Sequence, residues 1–256
     1  MQNLTVAVVQ QEIVPNNPQQ NLATFSRALK DLKNCDLIAL PEVFTTGFCA
    51  NARNFAEHVD GTAYSWMADH AKQLDAVITG SLVVKEGDTY FNRMVWMRPD
   101  GSYTHYDKRH LFRMGGEHMR YQCGNERIIV ELKGWRILPL VCYDLRFPVW
   151  SRNRNDYDLS IYVANWPSAR ALHWNRLLQA RAIENQAYVV GVNRVGMDEV
   201  HQHYVGDSTI YGPAGEVIVH SQEPGSFYAE LYGDNLLEYR QKFPAHIDAD
   251  DFELRF

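Results

Sequence analysis

The stretch ILPLVCYDLRFP, residues 137–148, joins a strand pattern to a reactive side chain. Its apolar run from Ile137 to Val141 is typical of a buried strand. Cys142 follows this run directly, and Pro148 starts or precedes a helix that is predicted near residues 149–155. Open α/β sheets hold their reactive groups where strands end. The stretch therefore predicts an α/β fold with Cys142 at a strand end.

The rest of the chain continues the alternation of strands and helices. An apolar stripe of Leu22, Phe25, Leu29 and Leu32 predicts a helix of roughly four turns after Pro18. Further helices are predicted at residues 62–73 and 171–185. Strands are predicted at residues 4–10, 36–40, 76–84, 89–98, 102–106, 128–132, 135–141, 159–163, 187–193 and 226–231, with two short ones around the turn at 212–215.

No repeat, low-complexity segment or glycine-serine linker divides the 256 residues. We therefore expect one α/β domain over residues 1–232. A polar tail, residues 233–256, is expected to pack on that domain or on a dimer partner.

Charge and composition exclude several classes of protein. The 25 Lys and Arg residues against 31 Asp and Glu give a formal charge of −6 without a run of like charges, which argues against a nucleic-acid-binding surface. The N-terminus has neither a basic region nor the ~18 apolar residues of a membrane span. Four cysteines without a CxxC pair are typical of free thiols. We expect a cytoplasmic protein without a membrane partner.

Three polar residues follow apolar strands, and together they form a chemically complete set. Glu42 lies in LIALPEVF, Lys108 in YDKRHLF and Cys142 in ILPLVCYDLRFP. A thiolate is a nucleophile, a nearby cation lowers its pKa and stabilises an oxyanion, and a carboxylate takes up the thiol proton and activates water. This combination predicts nucleophilic hydrolysis.

Other catalytic signatures are absent from the sequence. It contains no GxGxxG, GxxxxGK[ST], HExxH or GxSxG motif. His201 and His203 have a spacing that suits a metal, but no further ligand lies nearby in the sequence. We expect no metal site.

Four motifs together resemble the nitrilase, or carbon-nitrogen hydrolase, superfamily. They are LPE around Glu42, DKRHLF around Lys108, CYDLRFP around Cys142 and RAIENQAYVVGVNRVG at residues 181–196. The longer stretches DKRHLFRMGGEHMRY, VCYDLRFPVWSRN and YVANWP resemble the bacterial omega-amidase branch. The resemblance implies a single-domain, four-layer α-β-β-α sandwich that forms a homodimer. It also implies hydrolysis of the terminal amide of 2-oxo acid amides, such as 2-oxoglutaramate and 2-oxosuccinamate.

The resemblance also implies roles for individual residues. Glu42 would be the general base, Lys108 the transition-state stabiliser and Cys142 the nucleophile that forms a thioester. The family's second glutamate falls on Glu117, although many relatives have more than the eight residues that separate it here from the lysine. The backbone N–H of Tyr143 would help to hold the oxyanion. This chemistry requires no metal or organic cofactor.

The substrate carboxylate of a 2-oxo acid favours an arginine. Arg146 is the first candidate and Arg170 the second, although Arg146 would equally suit an ion pair with Asp144. Trp166 and Phe44 are candidates for the apolar walls of the site, or for core packing. At i and i+3 on one predicted helix, Arg181 and Glu184 are expected to form a structural pair.

Three alternatives remain at this point. The same residues would serve a nitrile hydrolase, a carbamoyl-amide hydrolase or a deaminated-glutathione amidase. A papain-like hydrolase would use Cys142 with one of the ten histidines. A binding protein that has kept the fold without catalysis is the third.

Overall fold

Two six-stranded sheets form the centre of the molecule. The computed structural model describes residues 1–254. Within these residues the strands are β1 (Leu4–Gln10), β2 (Leu37–Ala39), β3 (Val77–Glu86), β4 (Thr89–Met97), β5 (Tyr103–Asp107), β6 (Val130–Leu132), β7 (Trp135–Val141), β8 (Leu159–Val163), β9 (Tyr188–Val192), β10 (Val195–Met197), β11 (His203–Val205), β12 (Ser208–Tyr211), β13 (Val217–Ser221) and β14 (Gly225–Leu231). The α-helices are α1 (Pro18–Leu29), α2 (Thr62–Leu74), α3 (Pro148–Ser151), α4 (Ala171–Asn185) and α5 (Gly233–Lys242).

Each large sheet combines three parallel strands with antiparallel neighbours. The first sheet has the order β14-β1-β2-β3-β4-β5, and the second has the order β13-β12-β9-β8-β7-β6. Strands β1, β2 and β3 are parallel in the first sheet, as are β7, β8 and β9 in the second. Parallel strands present their carboxyl ends at one edge of the sheet, which is where reactive side chains collect.

The side chains of β1 alternate between two hydrophobic clusters. Val6 and Val8 belong to the core between the sheets, whereas Ala7 and Val9 pack with residues of α1 and α2. Alternate strand residues point to opposite faces, so the first sheet is covered on both sides. On the far side of the second sheet, α4 packs against β9 and β12. These contacts build the four-layer α-β-β-α sandwich expected from the sequence.

Two predicted helices end earlier in the structure. Helix α1 stops at Leu29, so Leu32 is buried beyond its end. The helix predicted at residues 149–155 ends at Ser151. There the side chain of Asn153 accepts hydrogen bonds from the backbone N–H groups of Asp156 and Tyr157, a local alternative that competes with the helix.

The predicted polar tail begins with a helix that the sequence analysis missed. Helix α5 has a largely polar sequence, and Leu236 is one of its few buried side chains. Arg240 anchors the helix to the domain through Asp158 at 2.7 Å and through the carbonyls of Tyr157 and Gln186 at 2.9 Å. A few buried contacts, rather than an apolar stripe, hold this helix in place.

The short hairpin of β10 and β11 was also not predicted. Its strands pair Val195 with Val205 and Met197 with His203. The connecting loop borders the site described below. Among residues 1–254, no helix has the length and apolar character needed to cross a membrane.

Candidate active site

A cavity of about 280 Å³ opens where strands of both sheets end. Glu42 follows β2 and Lys108 follows β5 in the first sheet, while Cys142 follows β7 in the second. All three line the cavity. Glu117, on the loop after Lys108, lies directly behind them and is fully buried. The structure thus brings together the four residues that the sequence suggested for catalysis.

A buried lysine holds two carboxylates. Lys108 Nζ lies 2.7 Å from Glu42 Oε1 and 2.9 Å from Glu117 Oε2, and the three side chains are inaccessible to solvent. The short loop before Glu117 does not displace it, because the backbone N–H of Phe112 donates to Glu117 Oε2 at 2.6 Å. A buried charge requires such pairing, since an isolated one is costly to desolvate.

The electrostatics of this cluster keep the lysine charged. Burial alone would lower the pKa of Lys108, but the carboxylates of Glu117 and Glu42 raise it well above its usual value. Burial raises the pKa of Glu117, against the opposing effect of Lys108. The lysine is therefore a fixed positive charge beside the thiol.

Cys142 sits on a strained turn. It opens the 3₁₀ helix Cys142–Arg146 with a φ of +46°, a left-handed conformation that non-glycine residues seldom adopt. Val43, the residue after the base candidate Glu42, has a φ of +39°. Such strain costs of order 1–3 kcal/mol per residue and persists where the surrounding structure enforces it. Both reactive side chains are thus held by unusual backbone geometry.

The thiol of Cys142 is protonated in the resting site. Burial raises its pKa well above the usual value, Glu42 adds to the effect, and Lys108 opposes it. Lys108 does lower the pKa of the thiol, as expected from the sequence, but burial and the Glu42 carboxylate outweigh the lysine in the free protein. Glu42 lines the same cavity as the thiol, so a proton acceptor is in place beside it.

Asp144 ties the nucleophile's turn to the segment after β5. Its carboxylate accepts from the backbone N–H of Val141 at 3.0 Å, from the Tyr106 hydroxyl at 2.8 Å and from the backbone N–H of His110 at 2.9 Å. Asp144 is completely buried. It does not pair with Arg146, so the ion pair considered from the sequence is absent between these two residues.

Two buried asparagines complete the site and were missed by the sequence reasoning. Asn92, in the middle of β4, donates from Nδ2 to Glu42 Oε1 at 2.8 Å and to Glu117 Oε1 at 3.1 Å. Asn165 donates its backbone N–H to Glu42 Oε2 at 2.8 Å. Its position after β8, in the YVANWP stretch, was a signal that could have found it. Nothing in the sequence marks Asn92, which lies within a strand.

Four of the five suggested substrate-binding residues line the cavity. Tyr143, Arg146, Trp166 and Arg170 all face it. The Arg146 guanidinium stacks 4.9 Å from the centre of the Trp166 ring and lies 2.9 Å from His173 Nδ1. In the part of the chain that the structure describes, neither Arg146 nor Arg170 forms an ion pair with a carboxylate, which leaves both cations available for an anionic ligand.

Phe44 does not belong to the cavity. It is fully buried in the layer between the first sheet and helices α1 and α2. There its ring packs 5.4 Å from Phe25 and 5.7 Å from Trp66, measured between ring centres. The suggestion that Phe44 forms a wall of the site is therefore wrong. The turn at Val43 directs the chain back into the outer layer.

The two histidines with metal-like spacing lie outside any ligand cluster. Within residues 1–254, no group of three or more His, Cys, Asp or Glu side chains is arranged to hold a metal ion. His201 and His203 lie in the β10–β11 hairpin region, where His203 pairs with Met197 across the strands.

Comparisons with known proteins find relatives along almost the whole chain. A family model described as carbon-nitrogen hydrolase matches residues 5–234. The omega-amidase YafV of Escherichia coli K12 is 50% identical over 99% of this chain and 100% of its own length. The 2-oxoglutaramate amidase of Bacillus subtilis 168 is 32% identical over 95% of this chain and 96% of its own.

One solved structure is similar over its entire length. It is XC1258 from Xanthomonas campestris, described as a CN-hydrolase superfamily protein with an arsenic adduct in the active site. The two chains are 44% identical, each is covered completely, and the TM-score is 0.98.

Proposed function

This chain belongs to the carbon-nitrogen hydrolase family, and from that membership we propose that it is an omega-amidase, which hydrolyses the terminal amide of a 2-oxo acid amide to the dicarboxylate and ammonia. The similarity to an omega-amidase along the whole chain and to a 2-oxoglutaramate amidase supports this substrate class. The observation that carries the proposal is the cavity itself, where a thiol, a carboxylate and a buried lysine lie beside two arginines without acidic partners among residues 1–254.

We propose that Cys142 attacks the carbonyl carbon of the amide. The thiol proton passes to Glu42, which delivers it to the leaving nitrogen, so that ammonia departs and a thioester remains on sulfur. Lys108 and the backbone N–H of Tyr143 stabilise the oxyanion. That N–H lies in the first turn of a 3₁₀ helix, where N–H groups lack intrahelical partners.

Hydrolysis of the thioester completes the cycle. Glu42 takes a proton from water, and the resulting hydroxide attacks the thioester carbon. The C–S bond breaks, the acid leaves, and Glu42 returns the proton to the sulfur of Cys142. Glu117 orients the water or the substrate nitrogen from its place beside Lys108. None of these steps requires a metal or an organic cofactor.

The remote carboxylate of the substrate is proposed to bind Arg146, with Arg170 as a second contact. Stacking on Trp166 fixes the plane of the Arg146 guanidinium, which favours two parallel hydrogen bonds to a carboxylate. Trp166 and Tyr143 would limit the length of the chain between the amide and the carboxylate.

No histidine lines the cavity among residues 1–254, which disfavours the papain-like alternative. His110 is engaged elsewhere, with its ring stacked 3.8 Å from the ring centre of Phe147 and bonded to Asp144.

A panel of substrates tests the proposal. Ammonia release is measured with 2-oxoglutaramate, a nitrile and a carbamoyl amino acid, and Cys142→Ala serves as the control. We expect the highest kcat/KM with 2-oxoglutaramate and no turnover in the variant. A preference for the nitrile or the carbamoyl compound would contradict the omega-amidase assignment, and absence of turnover with every compound would favour a binding protein.

We also propose that the protein is a homodimer in the cytoplasm, where thiols remain reduced. Val149, Leu172 and Ile183 are exposed apolar side chains on the outer helices α3 and α4, which suits burial against a second copy. Light scattering of the purified protein measures the mass, and a monomer at micromolar concentration would contradict the dimer.

A further inference from the structure

We infer that Asn92 is a positioning residue that directs the Cys142 proton to one particular oxygen of Glu42, Oε2. The inference rests on the proposed function, in which Glu42 is the general base. It goes further by naming the accepting oxygen and the side chain that leaves it free.

Asn92 contacts both carboxylates of the site and the backbone of Lys108. Its side-chain Nδ2 donates to Glu42 Oε1 at 2.8 Å and to Glu117 Oε1 at 3.1 Å. Its backbone carbonyl accepts from the backbone N–H of Lys108 at 2.9 Å. The residue is completely buried in β4. Movement of Asn92 would therefore disturb both carboxylates and the lysine together.

The hydrogen bonds around Glu42 distinguish its two oxygens. Oε1 accepts from Lys108 Nζ at 2.7 Å and from Asn92 Nδ2 at 2.8 Å, which occupies both of its lone pairs. Oε2 accepts from the backbone N–H of Asn165 at 2.8 Å. One lone pair therefore remains on Oε2, and it is the position for the proton of Cys142.

The amide of Asn92 supplies the two donors that this position uses. Its two N–H hydrogens serve one carboxylate each, whereas an ionised aspartate of the same shape donates neither. The orientation of the amide is fixed as well, because the reverse orientation would point the carbonyl oxygen of Asn92 at two carboxylates. Its Oδ1 has no hydrogen-bond partner among the described residues, so only the N–H groups of the side chain form hydrogen bonds.

In the resulting step, the S–H bond of Cys142 breaks as sulfur bonds to the amide carbon, and the proton moves to Glu42 Oε2. The C–N bond then breaks, and the same proton passes from Oε2 to the nitrogen that leaves as ammonia. Lys108 and Asn92 remain on Oε1 throughout. The base therefore need not rotate between accepting and delivering the proton.

Asn92→Asp tests this inference, because it keeps the shape and replaces two donors with a negative charge. The acid limb of the kcat/KM profile reports the ionisation of the base. With 2-oxoglutaramate, we expect this limb to move about 1–3 pH units upward. We expect kcat at pH 7 to fall about 10- to 100-fold and KM to change less than about threefold. Asn92→Ser, which is uncharged and retains one donor, should shift the limb in the same direction by less.

Asn185→Asp is the matched control. Asn185 is buried and donates to the backbone carbonyl of Arg181 at 3.0 Å, and it forms no hydrogen bond with Glu42, Glu117 or Lys108. We expect this variant to melt at a lower temperature while its pH profile stays that of the unchanged protein. An Asn92 variant that is folded and has an unshifted limb, or an equal shift in Asn185→Asp, would overturn the positioning role.

A second readout separates this inference from the proposed function. If the unchanged protein releases no ammonia from 2-oxoglutaramate, the proposed function fails. The rate at which iodoacetamide alkylates Cys142, read from peptide masses at a series of pH values, then still tests the role of Asn92. A shift of the alkylation profile to higher pH in Asn92→Asp supports the positioning role of Asn92. An unchanged profile overturns that role.

Discussion

Replacing Lys108 with methionine removes the cation from between two buried carboxylates. Lys108 contributes hydrogen bonds of 2.7 Å to Glu42 and of 2.9 and 3.0 Å to Glu117, and none of the three side chains is exposed. Methionine preserves much of the volume of the lysine stem. The variant therefore isolates the loss of charge and of hydrogen bonding from the loss of packing.

The magnitude follows from the burial of the partners. Removing one member of a buried ion pair costs about 3–5 kcal/mol, because it leaves an uncompensated charge. For a domain of this size, that loss corresponds to a melting temperature lower by about 6–10 °C. Turnover should fall at least about 100-fold, since the oxyanion loses its charged donor.

The loss of stability in Lys108→Met should grow with pH. Burial already raises the pKa of Glu117 while Lys108 opposes the rise, so removing the lysine raises this pKa further. Between the unfolded and the raised folded pKa, the folded variant binds more protons than the unfolded chain, and its stability falls as pH increases. Thermal melts of Lys108→Met and the unchanged protein should therefore differ less at pH 5 than at pH 8.

The double variant Lys108→Met, Glu117→Gln provides the control. It leaves one carboxylate, Glu42, with donors from Asn92 and Asn165, so it should recover about 1–3 kcal/mol at pH 8 relative to the single variant. A Lys108→Met protein as stable as the unchanged one at pH 8 would refute this reasoning. So would a double variant no more stable than the single one.

Three further predictions concern the thiol, the carboxylate anchor and the C-terminal helix. Because the pKa of Cys142 lies well above its usual value, alkylation of this thiol should accelerate about tenfold per pH unit from pH 7 to 9, and a plateau below pH 8 would contradict it. Arg146→Met should raise the KM for 2-oxoglutaramate about 10- to 100-fold, because the substrate carboxylate loses its charged partner. Arg176→Met, an exposed change on α4, should leave the KM unaltered. Equal KM values in the two variants would count against Arg146 as the anchor. Arg240→Met removes the hydrogen bond of α5 to Asp158, which keeps Arg136 as a partner, and should lower the melting temperature by about 3–6 °C in calorimetry. An unchanged melt would show that α5 is not part of the folding unit.

The positions of the reactive residues could be predicted because each lies just after a strand, and the ends of strands can be recognised in the local sequence. Lys108 and Cys142 directly follow β5 and β7, and Glu42 lies three residues after the end of β2. Glu117 required the resemblance to known motifs, since it lies in a loop that has no periodic pattern. Its place beside Lys108 depends on the fold of that loop.

Residues that act through contacts between strands escaped sequence reasoning. Asn92 reaches both carboxylates because the fold brings Glu42 and Glu117, which lie 50 and 25 residues away in the chain, to its position in β4. Phe44 was misjudged for a similar reason. Its direction depends on the left-handed turn at Val43, a conformation that the valine side chain disfavours and that the surrounding structure enforces.

The pKa of the thiol illustrates a second limit. A lysine near a cysteine suggested a lowered pKa, but the balance depends on burial and on the charge of Glu42. Both arise only when the two sheets pack face to face. The sequence therefore identified the participants, whereas their protonation follows from the assembled site.

The most direct test of the proposed chemistry is the mass of the protein quenched in acid during turnover of 2-oxoglutaramate. A thioester on sulfur predicts a species heavier by one 2-oxoglutarate acyl group, located on the peptide that contains Cys142 and absent from Cys142→Ala. Rapid ammonia release by the unchanged protein with no such adduct at any quench time, or turnover retained in Cys142→Ala, would contradict it.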